Sequence, residues 1–180
     1  MLSELQKRKF TRIFEIRDAD GNGTLEREDI KAINLRIRTL LNLSEDEYFT
    51  LRQRSMISWE HLRQTADTDK DGKISLPEWL SFCDGMVNDR DNYELFLVPT
   101  VEFFMDLFDR DHDGTFSFAE LKVFLDAHQI TNQSLQQWIW NKLDLNGDGH
   151  LSKEEVNTLM QQFCFSKDPN EPGNFVFGPF

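Results

Sequence analysis

Residues Asp67 to Glu78 read DTDKDGKISLPE, and three other stretches of the chain follow the same twelve-residue pattern. They read DADGNGTLERED from Asp18 to Asp29, DRDHDGTFSFAE from Asp109 to Glu120, and DLNGDGHLSKEE from Asp144 to Glu155. Each has oxygen-bearing side chains at positions 1, 3 and 5, glycine at position 6, an apolar residue at position 8 and a carboxylate at position 12. This fourfold repeat decides the fold.

Alternating oxygen atoms in a tight loop suit a hard cation. Ca²⁺ takes six to eight oxygen ligands at about 2.3–2.6 Å, and alternate side chains of a loop can point inward at one ion. Glycine at position 6 tolerates a positive φ, position 7 offers its backbone carbonyl, and the carboxylate at position 12 closes the shell. This is the EF-hand pattern, and it predicts up to four Ca²⁺ sites.

Simpler interpretations explain only parts of the pattern. A serine followed three residues later by glutamate, as in the last three loops, has the spacing of a capping box and needs no metal. Asp-Gly and Asn-Gly are ordinary turn signals. Neither explains four complete copies flanked by helical periodicity, so we interpret the loops as metal sites.

The candidate ligands occupy positions 1, 3, 5, 7, 9 and 12 of each loop. In the first two loops they are Asp18, Asp20, Asn22, Thr24, Glu26 and Asp29, then Asp67, Asp69, Asp71, Lys73, Ser75 and Glu78. In the last two loops they are Asp109, Asp111, Asp113, Thr115, Ser117 and Glu120, then Asp144, Asn146, Asp148, His150, Ser152 and Glu155. Loop 18–29 is the one site with aspartate at position 12, where Mg²⁺ accepts a single oxygen, so Mg²⁺ is expected to compete there.

The loops are expected to work in two pairs joined by short antiparallel ladders at position 8. Leu25 should face Ile74, and Phe116 should face Leu151. Apolar periodicity predicts helices around the loops. Their predicted ranges are 2–17, 30–41, 45–66, 79–87, 100–108, 121–128, 133–143 and 156–165.

The predicted fold class is all-α, with four EF-hands in two pairs packed into one compact body. The sequence divides into an N-terminal pair over 1–90, a C-terminal pair over 91–165 and an apolar tail over 166–180. The polar stretch 88–92 marks the expected connector between the pairs. No long charged segment separates them, which favours two halves that pack on each other.

The chain ends in NFVFGPF from Asn174 to Phe180, which is unusually apolar for a terminus. We expect this tail to fill the apolar cleft that a calcium sensor would offer to its targets. Burying one phenylalanine is worth about 1.5–3 kcal/mol, which can offset the entropy lost on ordering the tail. The alternative is a tail that binds a membrane or a partner.

The long segment between the first two loops, the four-loop layout and the ending PGNFVFGPF resemble the sarcoplasmic calcium-binding proteins and the calexcitins. The resemblance covers essentially the whole chain. It implies a cytoplasmic Ca²⁺ and Mg²⁺ buffer of the sarcoplasmic type, or a calexcitin-like sensor that docks on a target or membrane. Those families commonly contain degenerate loops, whereas all four are intact here, so their ion count is not carried over.

The same superfamily contains coelenterazine photoproteins and luciferin-binding proteins, so a ligand in an internal cavity is a further alternative. The photoproteins that this chain resembles need histidines deep in their helices, near a tyrosine, and a terminal proline. Here His112 and His150 lie within loops, only His61 and His128 lie on predicted helices, and Phe180 ends the chain. A cavity ligand is therefore less favoured than a simple aromatic core.

Composition narrows the function further. The net charge of −12 arises mainly from the loops and disfavours nucleic acid as a partner. No apolar run could span a bilayer, and Cys83 and Cys164 are interpreted as core thiols of a reduced, cytoplasmic, monomeric protein. The 5 methionines are scattered among 16 phenylalanines, which favours a buffer over a sensor with a methionine-rich groove. No catalytic motif is present, so we expect no enzymatic activity.

Overall fold

The computed structural model describes the backbone of all 180 residues and the side chains of all except Arg90, Asn92, Leu95 and Phe96. Helices and short strands alternate along the chain. The helices are α1 (Glu4–Arg17), α2 (Arg27–Leu41), α3 (Glu45–Ala66), α4 (Leu76–Asn88), α5 (Arg90–Phe108), α6 (Phe118–Ala127), α7 (Gln133–Leu143) and α8 (Lys153–Phe165). The strands are β1 (Thr24–Leu25), β2 (Ile74–Ser75), β3 (Thr115–Ser117) and β4 (His150–Ser152).

The strands form the two predicted ladders. In the antiparallel pair β1 and β2, Leu25 faces Ile74, and in the pair β3 and β4, Phe116 faces Leu151. All four side chains are buried. The predicted pairing at position 8 is confirmed, and it ties each loop to its partner at the point where the apolar core begins.

The helices that leave the loops begin at capping interactions. The backbone N–H at position 9 donates to the position-12 carboxylate in each loop, with the donors Glu26, Ser75, Ser117 and Ser152. A capping residue at position 9 makes position 10 the first helical residue. For this reason α2, α4, α6 and α8 begin three residues before the predicted 30, 79, 121 and 156.

The prediction of a polar connector over 88–92 is wrong. Helix α4 runs to Asn88 and α5 begins at Arg90, so Asp89 alone separates them. The polar side chains here cap helices, because Asn88 donates from Nδ2 to the Asp84 carbonyl (2.7 Å) and Asp89 accepts from the Asp91 N–H (3.0 Å). Helix α5 starts well before the predicted residue 100 and continues through Pro99, although proline has no N–H for the helical ladder.

Both hydrophobic clusters combine residues from the two halves of the chain. In one cluster Ile37 and Leu51 pack with Phe108 and Leu125, and in the other Phe10 and Trp79 pack with Phe163. The rings of Phe10 and Phe163 meet edge to face at 5.9 Å. This shared packing confirms the predicted compact body. Within the described residues, no helix is long and apolar enough to cross a bilayer.

The apolar tail lies on the core, as predicted. A 3₁₀ turn over Pro172–Phe175 packs on α7 and α8 and leads to Phe177. The Phe177 ring lies 5.3 Å from that of Phe163 and 6.1 Å from that of Phe124. The tail therefore reaches both hydrophobic clusters.

A buried lysine holds the tail in place. Lys9 on α1 is 0% exposed, and its Nζ donates to Asn174 Oδ1 (2.8 Å), the Ser166 carbonyl (3.2 Å) and the Gln162 carbonyl (3.3 Å). Asn174 is also 0% exposed. No carboxylate lies within ion-pair distance of Lys9 among the side chains described. The lysine thus joins α1, the end of α8 and the tail through neutral acceptors.

We expect the stability contributed by Lys9 to increase with pH. Burial lowers the pKa of Lys9 from 10.5 to about 8, so the unfolded chain binds more protons than the folded chain between these values. The free energy of unfolding of the parent should rise by about 1 kcal/mol more than that of Lys9→Met between pH 7.5 and 9.5, allowing for partial solvation. Urea unfolding of both proteins measures this difference. Lys7→Met, which alters an exposed lysine, should match the parent, and an unchanged pH dependence in Lys9→Met would contradict the assignment.

Candidate calcium-binding loops

Each loop starts at the end of a helix and turns around its first carboxylate. Asp18, Asp67, Asp109 and Asp144 are the C-cap residues of α1, α3, α5 and α7. In every loop the N–H of the position-6 glycine donates to this aspartate. The N···O distances range from 2.8 Å at Gly23 to 3.2 Å at Gly149. These four glycines have φ between 83° and 89°, a conformation that side chains with a Cβ rarely adopt.

A second positive φ occurs at position 4, to which the twelve-residue pattern gives no role. Two loops place glycine there, but Lys70 has φ 63° and His112 has φ 59°. Non-glycine residues in this region are uncommon and cost free energy. The bend of the loops therefore depends on two positions, of which only the glycine at position 6 is recognisable in all four copies.

Three loops bring acidic oxygens together. One ligand atom from each member of a trio lies within 4.8 Å of the other two, in a geometry that could hold a metal ion. The trios are Asp18, Asp20 and Asp29; Asp67, Asp69 and Asp71; and Asp109, Asp111 and Glu120. Like charges this close repel strongly, so a cation between them is favourable.

The position-12 carboxylate is held by the same two backbone groups in the first three loops. Glu120 accepts from the N–H of Arg110 (2.8 Å) and of Ser117 (2.9 Å), and Glu78 accepts from the equivalent groups. Asp29 makes both contacts despite its shorter side chain, at 2.8 Å to Ala19 N and 2.7 Å to Glu26 N. These hydrogen bonds orient the position-12 carboxylate in each of the three loops.

The surroundings of these carboxylates differ. Hydrogen bonds from the Ser75 N–H, the Ser75 hydroxyl and the Thr68 N–H lower the pKa of Glu78 to about 2. Burial raises the pKa of Asp29, which is 3% exposed, although two N–H groups donate to it. The charge on Asp29 therefore depends more on a nearby cation than the charge on Glu78.

The fourth loop is arranged differently. Glu155 accepts from the Ser152 N–H (2.9 Å), but its other oxygen accepts from Nδ2 of Asn146 (3.0 Å). The same Nδ2 donates to Asp148 (3.0 Å). An amide nitrogen thus lies between two carboxylates where the other loops have an acidic side chain at position 3. The amide oxygen of Asn146 accepts from the Asp148 N–H (2.9 Å), as the position-3 carboxylates do in the other loops.

The remaining candidate ligands contact other protein groups. The hydroxyls of Ser75, Ser117 and Ser152 donate to the position-12 carboxylates at 2.7–2.8 Å, while Asn22 and Asp113 accept from Thr24 and Thr115 hydroxyls within their own loops. At position 7, Thr115 Oγ1 and His150 Nδ1 lie 3.2 Å apart across the ladder. Their side chains therefore link the two loops, and the position-7 carbonyl remains the group available to an ion.

Two ion pairs around the loops were not predicted from the sequence. Lys73 Nζ lies 2.7 Å from Glu26 Oε1 and joins the first two loops, and Arg110 Nη1 lies 3.0 Å from Glu47 Oε1 and joins the third loop to α3. The hydrogen bond from Lys73 lowers the pKa of Glu26. Both pairs are exposed, so they contribute little stability but restrict where the loops lie.

Models of known protein families match the regions that contain three of the loops. A model described as an EF-hand domain pair matches residues 100–161, and a model described as an EF hand matches residues 64–82. These ranges include the second, third and fourth loops. The chain therefore contains EF-hand repeats, whose acidic loops bind Ca²⁺.

Several proteins are similar over most of the chain. Calerythrin of Saccharopolyspora erythraea is 23% identical over 171 residues, covering 93% of this chain and 96% of the relative. Luciferin-binding protein of Renilla reniformis is 27% identical over 164 residues (89% and 86%), and calexcitin-1 of Caenorhabditis elegans is 23% identical over 176 residues (95% and 85%). The structure of a sarcoplasmic calcium-binding protein from amphioxus superposes with a TM-score of 0.79 at 18% identity, with both chains covered in full (100%). That likeness shows a shared fold.

Proposed function

Because the chain is an EF-hand calcium-binding protein that resembles the sarcoplasmic calcium-binding proteins and the calexcitins, we propose that it is an intracellular Ca²⁺ buffer. In the same proposal, Mg²⁺ competes with Ca²⁺ for the loops, most strongly for loop 18–29. The protein acts as a cytoplasmic monomer without catalytic activity, and its loops rather than a docking surface carry the function.

The position of the tail carries this proposal. Sensors expose an apolar groove when Ca²⁺ binds, and the target enters that groove. Here Val176 and Phe177 line the apolar cavity beside the C-terminal loops, and Lys9 holds Asn174 next to them. The chain thus supplies its own occupant for the space that a target would need, as expected for a buffer.

In each loop, positions 1, 3, 5 and 12 supply side-chain oxygens to one ion and position 7 supplies its carbonyl. The three acidic trios support this assignment for the first three loops. For the fourth loop, the proposed ligands at these positions are Asp144, Asp148 and Glu155 together with the amide oxygen of Asn146. Functionally the loops act as two pairs, over 1–90 and 91–165, which the tail 166–180 covers.

The rival function is a calexcitin-like sensor. Helix α3 presents Phe49 and Ile57, which are 59% and 69% exposed and would be available to a target or membrane. A calcium titration with and without millimolar Mg²⁺, monitored with a dye for exposed apolar surface, separates the two functions. A buffer binds Ca²⁺ with little dye signal, whereas a large increase in dye fluorescence on Ca²⁺ addition would support the sensor.

We expect Asp29→Glu to shift the first site toward Ca²⁺. Aspartate is one methylene shorter than glutamate, so a two-oxygen grip on the ion is harder, and Mg²⁺ needs only one oxygen there. Competition calorimetry should show a Ca²⁺ over Mg²⁺ preference higher by on the order of tenfold in the variant. Asp168→Glu, outside the loops, serves as the control. Unchanged Mg²⁺ competition in Asp29→Glu would show that loop geometry sets the preference.

A second candidate function is binding of an apolar small molecule in the cavity beside the C-terminal loops. This cavity has a volume of about 90 Å³, and Phe104, Phe124, Leu159 and Phe177 are among its apolar lining residues. A relative of similar length is a luciferin-binding protein. The test is calorimetric titration of the calcium-loaded protein with a small apolar compound, 4-phenylbutan-1-ol, and absence of binding even after Phe177→Ala would exclude this function.

A further inference from the structure

The apolar cavity contains an arginine that has no acidic partner. Eighteen residues line it, and apart from Thr100 the polar ones are Arg17 and His128. Arg17 is half-buried in the last turn of α1. Among the residues described, no carboxylate or carbonyl accepts a hydrogen bond from its guanidinium, and its defined contact is the Trp79 ring, 5.6 Å from Cζ.

An unpaired guanidinium in an apolar cavity is costly. Arg17 lines the apolar cavity, and its described partner is the face of the Trp79 ring rather than an oxygen atom. Buried charges are normally paired, and removing the partner of a buried charge destabilises a protein. The other arginines near the core do have oxygen partners: Arg36 donates to the Ala127 carbonyl (3.1 Å) and Arg12 to the Phe177 carbonyl (3.3 Å).

The histidine in the same lining is a neutral group. His128 is 6% exposed, and its Nδ1 lies 2.8 Å from the Phe124 carbonyl, so Nδ1 carries the proton and donates. Burial lowers its pKa to about 4, and the positive charges of Arg17 and Arg36 lower it further. Near neutral pH, Arg17 is therefore the only charged group among the described lining residues.

This inference rests on the second candidate function. We propose that the cavity binds an apolar carboxylate, with the carboxylate on the Arg17 guanidinium and the hydrocarbon part among the phenylalanines. Arginine offers a planar pair of N–H donors that matches a carboxylate. The remaining lining is hydrocarbon, which suits a ring or short chain and repels a second charge.

The site is also next to the calcium loops. Phe116 and Leu151, the position-8 partners of the C-terminal ladder, line the cavity together with Leu121 and Val156 from the helices that leave those loops. If Ca²⁺ binding to these loops shifts the helices, the shape of the cavity wall changes with it. Binding of Ca²⁺ and of the carboxylate should therefore be coupled, and the coupling must be reciprocal.

Phe177 limits the size of the ligand. A volume of about 90 Å³ accepts little more than a single ring or a short chain. Phe177→Ala removes a ring from the wall and should enlarge the space. The variant therefore provides a receptor for a larger probe even if the tail of the parent keeps that probe out.

Three probes that share one hydrocarbon part test the proposal: 4-phenylbutyrate, 4-phenylbutan-1-ol and 4-phenylbutylamine. Each is titrated by calorimetry into the calcium-loaded full chain, as the parent and as Phe177→Ala. We expect the acid to bind at least tenfold more tightly than the alcohol, and the amine to bind most weakly. Arg17→Gln should remove the preference for the acid and leave the affinity for the alcohol within about twofold. Arg27→Gln, which removes an exposed arginine of equal charge, should keep the preference.

The outcomes separate this inference from the function on which it rests. Equal binding of acid and alcohol to both proteins would overturn the role of Arg17 while leaving an apolar cavity site in place. Binding of none of the probes to the parent or to Phe177→Ala would overturn the cavity function itself. A preference for the acid that survives Arg17→Gln would place the anion elsewhere.

Discussion

Removing Ca²⁺ should lower the free energy of unfolding by about 4 kcal/mol for each site that had been filled at a thousandfold excess over its dissociation constant. The physical reason is twofold. The ion binds the folded loop and not the unfolded chain, and without it three carboxylate oxygens remain within 4.8 Å of one another. At an effective dielectric constant near 20, each such pair repels by on the order of 3 kcal/mol.

Urea unfolding in calcium and in chelator at equal ionic strength measures this effect. Glu78→Gln, which weakens the second site, should reduce the difference between the two conditions by about one site's contribution. Glu4→Gln, an exposed change outside the loops, should leave the difference unchanged. Equal unfolding free energies with calcium and with chelator would show that the loops are not coupled to the fold.

Deleting residues 174–180 should lower the free energy of unfolding by about 3 kcal/mol and raise the binding of an apolar dye. The deletion removes Phe177 from its contacts with Phe124 and Phe163, and it opens the cavity. It also takes the Asn174 acceptor from the buried Lys9 ammonium. Both losses act in the folded state, while the calcium loops keep their ligands.

The measurement is chemical unfolding together with dye titration in saturating Ca²⁺. A shorter deletion of Pro179 and Phe180 provides the control, because it leaves Asn174, Val176 and Phe177 in place. That control should stay dye-silent. If the chain lacking 174–180 is as stable and as dye-silent as the parent, the tail does not cover the core, and a partner-binding role for it gains support.

The loop pattern predicted the local structure well, because local chemistry determines it. The glycine at position 6 and the carboxylate at position 12 are each fixed by neighbours within twelve residues, and the position-8 pairing follows from the repeat of the whole loop. Helices α3 and α7 also coincide with the predicted ranges 45–66 and 133–143. The helices that leave the loops begin three residues before their predicted starts, because the capping residue at position 9, and not the apolar periodicity, sets the first helical residue.

Contacts between distant segments could not be predicted from local patterns. Helix α5 continues through Pro99, because residues on either side, Val98 and Val101, pack in the two clusters. The sequence around Lys9 indicates a surface lysine, but α8 and the tail cover its side chain in the fold. From the sequence, Arg17 is an ordinary cation in the last turn of a helix, where a positive charge is favourable. Its place in the lining of the cavity follows only from the fold.

The fourth loop shows the limit of the pattern at the site itself. Its sequence satisfies every position, yet Nδ2 of Asn146 donates to Asp148 and to Glu155, so an amide nitrogen lies between these two carboxylates. An amide can present either its oxygen or its nitrogen, and the loop sequence does not distinguish the two. Ion binding would decide the orientation, since a cation attracts the oxygen.

The number of Ca²⁺ ions bound per chain is the most direct test of this account. Native mass spectrometry at saturating Ca²⁺ should find four ions on the parent and three on Glu155→Gln, in which the fourth loop loses its position-12 carboxylate. A parent that binds three ions or fewer, with Glu155→Gln unchanged, would contradict the assignment of four working EF-hands.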